Sequence, residues 1–150
     1  MSTVWIDPVY DRAAANIVYG DSKGCLDATV LNRIENNVQY ITDALIADHI
    51  PCVTTRQKDE WSRTDYIRLT PFNAIKQNIM NIRNTGYCYT TTPTLSMSVA
   101  DALLSYQELN NMEKILFDAK QLLDGTKGMQ RKLGTFSTSS SYQRQYIRSV

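Results

Sequence analysis

An all-α fold, a small bundle of three related amphipathic helices, follows from a single repeated pattern and two observations that accompany it. Leu31, Ile34, Val38, Ile41 and Leu45 form an apolar ladder, which returns as Phe72, Ile75, Ile79 and Ile82 and again as Leu109, Met112, Leu116, Ala119 and Leu123. The steps alternate between three and four residues, which keeps the rungs on one stripe of an α-helix. An asparagine follows the first rung each time (Asn32, Asn73, Asn110), so the three copies read as one helix used three times. The copies stand about 40 residues apart, in the range of helical hairpins or short arrays. A lone helix of this length is marginal in water, so the three stripes are expected to face one another.

The elements follow in order. Asp11 to Tyr19 is predicted to form a short packing helix, with Asp11 as its cap, Ala13 to Ala15 as strong formers and Gly20 closing it. The first repeat helix should begin at Asp27, whose carboxylate suits the free amides of a first turn, and end near Ala47, ahead of Pro51. Between Cys52 and Leu69 the chain is polar, with Trp61 and Tyr66 expected to anchor it to the bundle. Thr70-Pro71 reads as a cap and first-turn proline opening the second helix, and Gly86 as its stop. Tyr87 to Pro93 is β-branched and aromatic without an evident partner strand, so an extended connector is expected. The third helix should start between Ser98 and Asp101 and end at Asp124-Gly125, giving a bundle domain over 1–125 and an arm over 126–150.

The arm differs from the rest in charge. The chain carries 16 basic and 15 acidic residues. Five of the basic ones (Lys127, Arg131, Lys132, Arg144, Arg148) and none of the acidic ones lie after Gly125, so residues 1–125 carry a net charge of −4. After a Ser/Thr-rich start around Phe136 the arm alternates aromatic and basic side chains through Tyr142, Arg144, Tyr146 and Arg148. Such a segment cannot bury enough surface to fold alone. Either it stays disordered, or it orders by lying across an acidic neighbour, as an added strand for example.

Inventory excludes most chemistry. His49 is the only histidine, in a stretch ending at Pro51, which leaves no His-based zinc site or Ser-His-Asp set. The six glycines are scattered, with no phosphate loop and no calcium-loop spacing. Carboxylate pairs such as Asp59 with Glu60 and Glu108 with Glu113 are expected to be solvated. No enzyme activity and no cofactor or metal are expected. A DNA reader would need clustered Lys and Arg, whereas the repeat helices are nearly balanced in charge. Cys25, Cys52 and Cys88 are an odd set without CxxC spacing, which suits reduced thiols in a protein made in the cytosol. With 43% apolar residues the chain can build one core, and no apolar run is long enough to cross a bilayer.

The asparagines ask for a reason, because Asn36, Asn37, Asn78, Asn110 and Asn111 are poor helix-interior residues. Either their amides bind the backbone of adjoining loops and fix how the repeats dock, or they form a polar flank at the core's edge. Together with Tyr40, Trp61, Tyr87 and Tyr89 they are also groups that grip carbohydrate.

Trp5-Ile6-Asp7-Pro8-Val9-Tyr10-Asp11-Arg12, Gly24-Cys25-Leu26-Asp27 and above all Leu31-Asn32-Arg33-Ile34-Glu35-Asn36-Asn37-Val38-Gln39-Tyr40-Ile41 resemble a helical module of tail and baseplate-associated proteins from bacteriophages of Gram-positive bacteria. The likeness runs on through Trp61, Asp65, Phe72-Asn73 and Leu109-Asn110-Asn111-Met112, covering residues 4–124. The arm after Gly125 has no counterpart in that module. The resemblance implies a virion structural or attachment protein, made in the host cytoplasm, that touches other virion proteins and further copies of itself in a symmetric assembly. Phe136, Tyr142, Arg144, Tyr146 and Arg148 are then the contact candidates. A small carbohydrate-binding module that holds a host-surface glycan, and a regulatory protein that binds a host factor, are the alternatives.

Overall fold

The computed structural model describes residues 3–13, 27–65, 68–96 and 106–132, without the side chains of 127–132. Among these residues there are three helices and no strand: α1 (Ala28–Ala47), α2 (Leu69–Arg83) and α3 (Tyr106–Lys132). All three pairs of helices pack against each other. Every rung of the three ladders is buried, with Ile34, Ile41, Leu45, Ile75, Ile79, Ile82, Met112 and Leu116 fully enclosed. Full burial of such a side chain contributes roughly 1.5–3 kcal/mol, so the ladders are the main cohesive element of the fold.

The helix ends follow local chemistry. Asp27 caps α1 by accepting a hydrogen bond from the Val30 amide at 3.0 Å. The chain leaves α1 through His49, at φ 61°, and the Ile50 amide reaches back to the Leu45 carbonyl at 2.8 Å. α2 begins one residue before Thr70, at Leu69, with Arg68 in the cap position and no side-chain cap bond. Thr70-Pro71 therefore lies inside the first turn, where proline's missing N–H has no helical partner to lose. After α2 the chain turns through Gly86, whose φ of 96° suits a residue without Cβ. α3 does not stop at Asp124-Gly125 but continues to Lys132. Gly125 has no positive φ that would end a helix, and the Thr126 hydroxyl donates back to the Leu122 carbonyl at 2.8 Å, within the helical pattern. The predicted start of α3 at Ser98 to Asp101, the anchor Tyr66, Cys25 and residues 133–150 of the predicted arm lie outside the described residues, whereas residues 126–132 of that arm belong to α3. So does most of the predicted Asp11 to Tyr19 helix, whose residues 11–13 are not helical.

Three non-helical segments lie in the grooves between the helices; we call them straps. Residues 3–13 lie between α1 and α3, residues 50–61 between α1 and α2, and residues 87–96 between α2 and α3. Each runs against the helices beside it. Along the second strap Thr54, Gln57 and Trp61 meet Thr42, Glu35 and Asn32 of α1, in descending order, while Val53 and Thr55 meet Asn81 and Asn78 of α2. Along the first, Trp5 meets Tyr40 and lies under Lys120, Tyr10 meets Phe117, and Arg12 meets Asn110. A strap that is antiparallel to both its neighbours makes those neighbours parallel. The three helices therefore point the same way, unlike a helical hairpin, and residues 48–68 supply the return path. That return is short of chain nowhere, because extended backbone covers about 3.3 Å per residue against 1.5 Å in a helix.

Candidate functional site

The polar residues of the repeat form its most ordered chemistry. Counting the first rung as position one, position two is Asn32, Asn73 and Asn110, and position five is Glu35, Lys76 and Glu113. Position seven is Asn37, Asn78 and Ile115. A primary amide offers a donor and an acceptor side by side, as a peptide group does, and can stand in for a strand neighbour. Asn32 accepts from the Trp61 amide (2.6 Å) and donates to its carbonyl (3.0 Å). Asn110 does the same to Arg12 (3.0 and 2.9 Å), Asn37 to Ile6 (3.1 and 2.7 Å) and Asn78 to Thr55 (3.1 and 2.8 Å). In both straps the two clasped residues are six apart, so the same device is set in the same register twice. Backbone groups that would otherwise need water or a sheet are thereby satisfied.

Position five then holds the side chain of the residue that position two clasps. Glu35 accepts from the Trp61 indole Nε1 and from the Gln57 amide, each at 2.6 Å. Glu113, fully enclosed, accepts from the Arg12 guanidinium at 2.7 Å and from Arg33 Nε and Nη2 at 2.5 and 3.0 Å. The expectation that Glu113 is solvated is corrected here: two guanidiniums from distant parts of the chain replace its water. In the third groove the device changes. Ile115 replaces the asparagine, and Thr92 donates to Asp118 at 2.6 Å while Arg83 donates to the Thr92 and Pro93 carbonyls. Lys76 is completely buried, 3.6 Å from Glu108, and neither its Nζ nor Asn73 Oδ1 has a hydrogen-bond partner.

Glu35 and Glu113 are fully engaged with the chain itself, and His49 is exposed on a turn. Among the described residues no three His, Cys, Asp or Glu side chains gather to hold a metal. Burial pushes the Cys52 thiol up, with the Thr42 hydroxyl working weakly against it, whereas Cys88 is half-buried; both are free thiols. Asp65 is held below the ordinary carboxylate range by Lys58 and by the Ser62 amide, a pairing that fixes a turn. A depression of about 520 Å³ opens beside the start of α1, with Asp11, Arg12, Asp27 and Arg33 among its lining residues. Of the four rings considered for carbohydrate, Trp61 and Tyr87 belong to the core and Tyr40 packs on Trp5 at 5.7 Å, so they offer no common platform.

The outer side of the first strap is the more distinctive surface. Val4 is 74% exposed, Ile6 45% and Tyr10 37%, with Asp7 exposed between Ile6 and Tyr10 and Asp11 exposed after Tyr10. Sequence reasoning placed its contact candidates in the arm alone and overlooked this strip, which its apolar and acidic interleaving could have signalled. Phe136, Tyr142, Arg144, Tyr146 and Arg148 lie outside the described residues. No described helix is long and apolar enough to cross a membrane. Comparisons with protein-family models, with curated proteins and with solved structures find no match.

Proposed function

We propose that this chain is a structural protein of a bacteriophage tail or baseplate, acting through protein-protein contacts as one of many copies in the virion. In this reading three copies of one helix-and-strap unit are arranged about a common axis into a small bundle, and a C-terminal arm extends from it. One observation carries it: the asparagines and the charged residues of the Leu31–Ile41 phrase are all engaged within the molecule itself. Asn32, Glu35, Asn36 and Asn37 hold straps and Arg33 binds Glu113, so the phrase specifies a shape and leaves no chemistry to a substrate. A protein whose polar side chains are spent on its own shape, with apolar side chains on its outer strap, suits assembly.

Mass spectrometry of purified, washed phage particles tests the proposal. The expected result is the chain at many copies per particle, in a ratio to the other tail proteins set by their symmetry. Absence from particles would overturn it, and specific retention by the isolated protein on a glycan array would then favour the attachment reading.

A further inference from the structure

The beginning of the first strap has one edge fastened to α1 and one edge open. The Val4 carbonyl and both backbone groups of Ile6 bind the amides of Asn36 and Asn37. In an extended chain the backbone groups of successive residues point to opposite edges, so those of Thr3, Trp5 and Asp7 point away from these asparagines. Among the described residues none bonds to them. Backbone groups without a partner in the protein need water or an added strand, and an unpaired edge of this kind is a template for the second.

The pattern along this edge is complementary to itself. Pro8 has no N–H and closes the edge, which leaves Thr3 to Asp7. Two such edges laid antiparallel about a two-fold axis through Trp5 use every open group: Trp5 pairs with Trp5, and Thr3 of each copy with Asp7 of the other, each pair exchanging two hydrogen bonds. Between these pairs the exposed Val4 comes opposite the exposed Ile6 of the second copy, with Cα atoms about 4.5 Å apart, so the two cover each other. The two Asp7 carboxylates fall at opposite ends of the ladder, about 13 Å apart along the strands and beyond the screening length of roughly 8 Å in physiological salt. Self-pairing in this register therefore buries apolar surface without opposing like charges.

We propose that the open edge of residues 3–7 is the site at which a second copy of this chain adds its own residues 3–7 as an antiparallel strand. The inference rests on the multi-copy reading above and gives it a contact. Sedimentation velocity on three full-length proteins tests it: the natural chain, Val4→Lys/Ile6→Lys and Val4→Lys/Ile6→Glu. The natural chain forms a dimer. Val4→Lys/Ile6→Lys sets like charges opposite each other and weakens association about tenfold or more. Val4→Lys/Ile6→Glu sets unlike charges opposite each other, because position 4 of one copy meets position 6 of the other, and it regains an association that added salt weakens, which a misfolded protein would not do. A monomeric natural chain, a double-lysine variant that associates as tightly as the natural chain, or a lysine–glutamate variant no tighter than the double-lysine one would overturn the proposal, the first by leaving the edge to a strand of another protein. Presence in washed particles with any of these results would leave the virion reading standing, whereas a dimer of this register in a chain absent from particles would remove that reading and keep the contact.

Discussion

Asn32 clasps both backbone polar groups of Trp61. The side-chain amide of Asn32 accepts a hydrogen bond from the Trp61 N–H at 2.6 Å and donates one to the Trp61 carbonyl at 3.0 Å, while Glu35, one turn on, accepts from the indole N–H. Replacing Asn32 by alanine strands both backbone groups at the edge of the core. The expected cost is about 2–3 kcal/mol in urea unfolding, with a shift of tryptophan emission as Trp61 loosens.

Glu113 and Glu35 occupy the same position of the repeat with different partners, so their glutamine variants should differ. Glu113→Gln leaves the enclosed Arg12 and the largely enclosed Arg33 without their anion and should cost about 3–5 kcal/mol. Glu35 receives only neutral N–H donors, and Glu35→Gln keeps an oxygen for one of them. A loss of about 1–2 kcal/mol is expected there, and thermal unfolding of the two variants side by side would separate them.

Truncating a fully enclosed rung tests the ladders directly. Ile34→Ala, Ile75→Ala and Met112→Ala remove side chains with no exposure, one from each helix, and each should lose about 2–5 kcal/mol of stability. Val53→Ala, at a residue 79% exposed, should change it by under about 0.5 kcal/mol.

At Gly86 the prediction isolates backbone conformation from packing. A Cβ there would meet nothing within 4 Å, yet φ is 96°. Gly86→Ala should therefore destabilise by roughly 1 kcal/mol through strain alone, measurable by chemical denaturation.

The thiols should separate by rate. Cys52 is buried and its thiol is pushed up from the ordinary value, so less thiolate forms near pH 8 than in an unshielded cysteine. Peptide mapping after timed alkylation should find Cys88 modified first and Cys52 slowly. The sign for stability follows: the neutral Cys52 thiol favours the fold fully below the unfolded thiol's pKa, and that contribution is lost as pH rises through the elevated folded value.

What could be read in advance had a local cause. The ladders were legible because each rung depends on neighbours three and four residues away, and Asp27 announced the start of α1 for the same reason. Glu113 was misjudged because its partners Arg12 and Arg33 stand 101 and 80 positions away along the chain, and nothing nearby marks it. The common direction of the helices was equally hidden, since residues 48–68 could serve a hairpin or a return. Gly125 resembled a stop, but glycine ends a helix only where the backbone adopts a left-handed turn, and here it does not.

Because Arg12 is fastened by Asn110 and Glu113, the Arg12 end of the first strap has no berth until α3 exists, although its Ile6 end can already dock on α1. During synthesis Arg12 waits while nearly a hundred more residues are added, and the seam between the first strap and α3 closes only when α3 has cleared the ribosome. Premature termination anywhere before Glu113 would therefore release a polypeptide with an open flank, a natural target for proteolytic quality control.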